Sequence, residues 1–405
     1  MSNVIATTAV VAKTALAILK NNMGFAKNVN RTWESEYGDN MSRGYAPGQT
    51  INIPKPPRYT VREGLVAVPQ SSTISTIPLT LQPFGCDTTF NATERTLAVT
   101  PERLRMVTEA AMNPVINRID ELCADMARYS TFNALNPTYA APNTAALALA
   151  AATGVNQRLD EMGAPLSRDG KRSMALNPAL NGNFITGFGG LFNNQTAVSD
   201  QYDSGIMVNA LGFKFFMDQN VATHTNGAGT ASNVNGANQT GSTITVAATG
   251  AGTITRGTRV TFVGCNAVNP VSKRSTGQLA QFVITADVAQ GATSLPISPA
   301  IVTSGPFQNV TASPTTGQAF VIFGNASTSY NCNVGYHKDA FTLACVPFAP
   351  FAKNTGVDQY TASENGLSVT VTQGTDLINF QQIQRIDVLA GVVATYPELS
   401  CIYAN

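Results

Sequence analysis

The sequence predicts an α+β chain interrupted by an all-β insert, and three observations carry that prediction. Thr100-Pro101-Glu102 opens a long run of apolar residues at helical spacing. Alternation with period two appears on both sides of that run, around residues 50–81 and again around 367–395. Charge almost vanishes between Thr225 and Phe320, where only Arg256, Arg259, Lys273, Arg274 and Asp287 are ionisable at neutral pH.

The elements follow in order. Residues 1–45 read as an arm, with one apolar helix (Val4 to Leu19) ending near Asn21 and Asn22. The run has no basic leader and Lys13 interrupts it, so a signal peptide or membrane span fits poorly and a docking helix fits better. Residues 46–100 read as an extended β-hairpin with adjoining strands. Thr50–Ile53, Tyr59–Arg62 and Ile77–Leu81 are its strands, and Pro54, Pro56 and Pro57 forbid helix between the first two. A two-stranded ribbon is marginal alone in water and needs a surface to lie on.

Residues 101–163 read as two helices. In the first, Thr100 caps and Leu104, Val107, Ala111, Val115, Ile119, Leu122 and Met126 form one face. Arg103, Glu109, Asn117, Asp120, Glu121 and Arg128 fall outside it, and Pro114 should kink it. Carried to Arg128, it is roughly 40 Å long. The second runs from Thr144 to Met162, weakened by Gly154 and closed by Gly163.

Residues 164–224 mix loops and short strands, with a Gly-rich loop at Gly187, Gly189 and Gly190 and a strand at Lys214–Met217. Residues 225–320 are the insert. Its lead-in, Asn226 to Gly241, reads as a flexible linker, and Thr243–Val246, Arg259–Val263 and Gln281–Ile284 read as strands of a small barrel or sandwich. Residues 321–405 return to α+β. Leu367–Thr372 is a half-buried strand, and Arg385–Leu389 leads through Gly391 to a further strand, Val392–Thr395.

Composition narrows the function. Of 405 residues, 43% are hydrophobic, enough for a core, and only 12% are charged, with a formal net charge of +1. A surface of Thr, Ser, Asn, Gln and Gly suits a protein whose exterior becomes interface, and charge near zero favours association. No basic stripe announces a nucleic-acid binder. The six cysteines (Cys86, Cys123, Cys265, Cys332, Cys345 and Cys401) are scattered without a C-x-x-C pair, so reduced thiols are expected rather than a zinc site or disulfide scaffold.

Catalysis finds little to work with. The only histidines, His224 and His337, lie far apart, and each reads better as a hydrogen-bonded structural residue than as a base beside a nucleophile. The Gly187 cluster lacks the Lys and the strand-to-helix setting of a phosphate cradle. The carboxylate pairs Glu34/Glu36 and Asp120/Glu121 read as solvated or interfacial. No enzyme activity, cofactor or metal is expected. The hairpin carries Lys55, Arg58, Arg62 and Glu63. These are solvated charges or, since the ribbon must lie on something, intersubunit contacts.

The order of elements resembles a known family. The residues that carry the resemblance are Pro57–Arg62, Thr80-Leu81 with Thr89-Phe90, Gly212-Phe213 and Met217–Thr225. Further on they are Gly264–Pro270, Thr276–Val283, His337–Leu343, Arg385–Gly391 and Pro397–Leu399. Together they resemble the major capsid proteins of tailed bacteriophages, a fold shared with encapsulins. The nearer likeness is to the short-tailed-phage coat-protein branch with an inserted β-barrel domain.

The resemblance implies an N-terminal arm, an extended E-loop hairpin over a neighbouring subunit, a peripheral domain built on the long spine helix, and an apical domain. It implies hexamers and pentamers of an icosahedral shell around double-stranded DNA, assembled in the host cytoplasm with scaffolding protein and portal, and open to decoration proteins. DNA would be touched only weakly and non-specifically, and no membrane is involved. For a Lys–Asn cross-link at Lys55, no partner Asn or catalytic acid can be matched. The rival readings are an encapsulin-like compartment, which usually lacks the insert, and a β-rich surface adhesin, which the long capped helix argues against.

Overall fold

The computed structural model describes the chain except residues 1–7, 32–49, 60, 63, 68, 71–73, 92–100, 166–171, 189–208, 352–356, 365, 377 and 380. Helices are α1 (Thr8–Asn22), α2 (Pro101–Ser130), α3 (Ala145–Glu161) and α4 (Pro178–Phe188). The first strands are β1 (Thr50–Lys55), β2 (Ser75–Thr80), β3 (Gln82–Asn91), β4 (Ala134–Leu135), β5 (Arg172–Leu176), β6 (Lys214–Met217) and β7 (Thr223–Thr225). Those of the insert are β8 (Gly241–Thr245), β9 (Arg259–Val268), β10 (Ser275–Ile284) and β11 (Ser294–Ile301). Then come β12 (Val321–Ile322), β13 (Ser329–His337), β14 (Phe341–Val346), β15 (Val357–Glu364), β16 (Leu367–Asp376), β17 (Gln381–Ala394) and β18 (Ser400–Ala404). The chain divides into two compact units, 1–53 with 76–123 and 341–393, and 54–75 with 124–340 and 394–405.

In the first unit, β14, β17, β16 and β15 form a sheet, and β3 adds to it antiparallel to β17, from Gln82 opposite Ala390 to Asn91 opposite Gln381. The arm helix α1 buries Val11, Ala12, Ala15, Leu16 and Leu19, a 3–4 stripe, and packs against β15 and β16. Thr8 Oγ1 donates to Asp358 Oδ2 at 2.7 Å, and Lys20 pairs with Glu364. This cover corrects the half-buried reading of Leu367–Thr372, since Leu367 to Val371 are all buried. Gly391 does not break a strand. β17 runs through it for 14 residues, and a Cβ there would sit 2.5 Å from the Thr80 carbonyl oxygen, so the glycine marks a close approach.

The long helix is 30 residues and contains Pro114. Its face is as read at Ala111, Val115 and Ile119, but wider: Met112, Ile116, Cys123 and Ala127 are also buried, while Leu122 and Met126 lie at the margin. Asp120 is a correction. Expected outside the stripe, it is 3% exposed, and its carboxylate accepts from Gly24 N and Ala26 N at 2.9 Å each. The charge is satisfied by the turn that follows α1, as burial requires. The cap at Thr100 and the side chain of Leu104 lie outside the described residues, as do Glu34 and Glu36.

In the second unit, the sheet order is β4-β18-β13-β5-β6, with β7 also on β13. α3 begins as expected, with Thr144 Oγ1 accepting from Leu147 N at 3.4 Å, and ends before Gly163, whose φ of +76° favours glycine. Ala148, Ala152, Val155 and Leu159 pack with Leu180, Phe184 and Phe188 of α4 and with Phe213 and Phe215. The helix α4 replaces part of the expected loop. Asn177 Oδ1 accepts from Leu180 N at 2.9 Å and Pro178 occupies the first turn, a start signal present in the sequence. Gly187 belongs to this helix, while Gly189 and Gly190 lie outside the described residues.

The insert is β, as expected, in the order β12-β9-β10-β11-β8. Its ladders form an open path and do not close as a barrel; between its edges, Asn233 makes an isolated bridge to Ala319 and Val234 one to Val246. The lead-in is more structured than a linker. Asn226 is buried and donates from Nδ2 to Phe323 O (2.8 Å) and Asn325 O (3.1 Å), and Val234 N donates to Gln318 O at 2.9 Å. Phe262, Phe282 and Phe320 centre the insert's core.

Candidate assembly interface

The hairpin forms in part as the sequence predicts. β1 and β2 pair as a two-stranded sheet, and Ile53 and Leu79 anchor it in a cluster with Ala344 and Leu389. Beyond Lys55 the expected second strand is absent: Tyr59, Val61 and Arg62 are not in a ladder. Pro56 and Pro57 withhold two backbone donors just before it. The loop instead displays apolar side chains, with Val61 95%, Leu65 98% and Val66 81% exposed. Three aliphatic groups this bare on one loop are the kind of surface that marks a binding partner.

The predicted contact residues divide. Lys55 Nζ lies 5.6 Å from the centre of the Tyr396 ring. Arg58 pairs with Glu398 at 3.1 Å and its guanidinium lies 5.8 Å from the Phe307 ring centre. Arg62 donates to Gly64 O at 2.5 Å and Val66 O at 2.8 Å, which folds the loop tip around its guanidinium. Glu63 lies outside the described residues. Lys55 and Arg58 thus meet side chains of their own chain, and Arg62 braces its own loop.

A second polar centre, unannounced by the sequence, lies at the end of α2. Arg259 is fully buried and donates to Arg128 O (2.5 Å), to Thr131 O (3.2 Å) and to Tyr330 Oη (3.0 Å). A cation on the last carbonyls of a helix meets the negative end of its dipole. Tyr139 stacks on Tyr330 at 4.8 Å, and Arg128 and Arg256 each lie over the Tyr129 ring, at 4.3 and 4.4 Å. His224 is buried here, 3.4 Å from Thr258 Oγ1. Burial, helped by the charges of Arg259 and Arg128, lowers its pKa to about 3. Both side chains are shut from solvent, His224 3% and Thr258 1% exposed, so the pair has no access to a substrate.

His337 is also buried, its Nδ1 accepting from Asp339 N at 3.3 Å. All six cysteines are free, and five are buried. Among the described residues no three His, Cys, Asp or Glu side chains gather as a metal site, and no helix is long and apolar enough to cross a membrane.

Solved structures similar to this chain include one from Mycobacterium phage Che8, at 12% identity over 94% of this chain and 91% of that one, with a TM-score of 0.49. Another is the capsid of Ralstonia phage GP4, at 8% identity over 89% and 84%, with a TM-score of 0.45. A third is a virus-like particle from Pyrococcus furiosus, at 7% identity over 97% of each chain, with a TM-score of 0.37. No curated protein sequence matches the chain. The family described as P22 coat protein, gene protein 5, matches residues 102–402. That stretch runs from the first turn of the long helix into the last strand, about three quarters of the 405 residues, and the chain belongs to the P22 coat protein family.

Proposed function

We propose that this chain is the major subunit of a phage capsid, assembling as hexamers and pentamers into an icosahedral shell around double-stranded DNA. The observation that carries the reading is the family match across residues 102–402. The bare loop at Val61, Leu65 and Val66 supports it, because a subunit built to lie against copies of itself has apolar groups to cover. Within the reading, residues 1–45 are the arm, 46–100 the E-loop hairpin with peripheral-domain strands, 101–163 the spine helix and the helix after it, 164–224 the first part of the apical domain, 225–320 the insert, and 321–405 the C-terminal part of the apical and peripheral domains. Lys55, Arg58, Arg62 and Glu63 then sit at or beside the intersubunit contact. Scaffolding protein and portal are partners during assembly in the host cytoplasm, decoration proteins are further candidates, and the chain's role is structural rather than catalytic.

Negative-stain microscopy of the purified chain, alone and with a phage lysate, tests the reading. Shells, rings or tubes are expected; a chain that stays monomeric under every condition and is absent from virions overturns it. Removing the loop between Lys55 and Ser75 should leave a folded chain that no longer assembles.

A further inference from the structure

We propose that the cavity beside Lys55 binds a single-chain anionic amphiphile, an aliphatic body carrying one carboxylate-like head. The cavity measures about 400 Å³, within the range of small-molecule sites. Its lining includes Phe132, Met162, Ala280, Phe282 and Val310, each no more than 7% exposed.

Five of the polar side chains of its wall are already engaged. Gln281 accepts from Ala134 N at 2.7 Å and donates to Ala134 O at 2.9 Å. Asn309 accepts from Val302 N and donates to Ala300 O, Gln308 donates to Val310 O, and Arg58 holds Glu398. A polar guest would therefore lose its water and find few partners, which is costly. An aliphatic chain loses nothing and buries its surface.

Lys55 supplies the sign of the head group. Its ammonium lies over the Tyr396 ring and, among the described residues, has no carboxylate within salt-bridge distance. Arg58, also in the lining, is paired with Glu398, which leaves the Lys55 ammonium as the charge of this rim among the described residues. An anion is drawn to this rim and a cationic head is repelled. The proposal stands on the cavity alone and does not rest on the shell reading.

Calorimetric titration of the full chain with sodium decanoate, 1-decanol and decyltrimethylammonium tests it. Decanoate is expected to bind saturably at one site, about tenfold more tightly than decanol, with decyltrimethylammonium weakest. Lys55→Met should bring decanoate down to the decanol affinity and leave decanol unchanged. Ala280→Trp should fill the cavity and remove both; if it does not fold, Val302→Trp at the cavity wall serves instead. No saturable decanoate binding to the folded chain, no preference for the anion, or binding unaltered in a folded cavity-filling variant overturns the proposal.

Discussion

Arg259 shows how a buried charge is tolerated without a carboxylate. Its donors meet two helix-end carbonyls and a phenol, so the dipole of α2 takes the place of a counter-ion. Arg259→Leu strands acceptors in the interior and should cost roughly 2–4 kcal/mol, since each unsatisfied buried group costs about 1–3 kcal/mol. Urea denaturation measures it, and Arg259→Lys should fall between leucine and the natural residue. His224 beside it predicts a pH dependence. Its folded pKa lies near 3, below the unfolded value of 6.5, so the unfolded chain takes up the proton first. Its contribution is therefore complete above pH 6.5 and is lost as pH falls toward 3, by up to about 1.4 kcal/mol per unit. His224→Asn should flatten that slope between pH 6.5 and 4, measured against the unchanged chain. Neither residue was legible as a pair in the sequence, because 35 positions and a change of sheet separate them.

At the level of elements, periodicity was read well where one face decides. The helices α1, α2 and α3 and the strand Lys214–Met217 fall where their spacing places them, and α3 carries the expected cap at Thr144. It failed where tertiary packing overrides local pattern. Leu367–Val371 looks half-wet until α1 is laid on its sheet, and Gly391 looks like a break until the Thr80 carbonyl is seen beside it. Helix α4 has a start signal in Asn177-Pro178, but Gly182, Gly187, Gly189 and Gly190 give the same stretch the composition of a loop.

Those glycines predict opposite outcomes. A Cβ at Gly182 meets nothing within 4 Å, so Gly182→Ala should stabilise by about 0.5–1 kcal/mol through helix propensity. A Cβ at Gly187 would lie 2.5 Å from the Ala148 Cβ, so Gly187→Ala should destabilise by about 1–3 kcal/mol as α3 and α4 are forced apart. Thermal melts of the two variants separate these signs. Asp120→Ala should cost about 2–3 kcal/mol, two charge-assisted bonds to Gly24 and Ala26 being lost. Hydrogen exchange should then quicken in residues 8–30 before it does in β13 or β18.

For the whole molecule, the spread of matching segments told which family the chain joins. The bare loop tip was not legible. Val61, Leu65 and Val66 stand among Arg62, Glu63 and Gly64, and nothing in that mixed string says which side chains find cover. As the intersubunit contact proposed above, that loop also predicts how the shell should respond to its surroundings. Contacts made by aliphatic groups carry no Debye screening, so assembly yield should change little between 50 mM and 500 mM sodium chloride. The same contacts fade on cooling, because their driving force near room temperature is entropic. Particles joined this way should loosen on ice and tighten on warming, and light scattering across a cold ramp would follow a lattice whose seams are set by temperature rather than by salt.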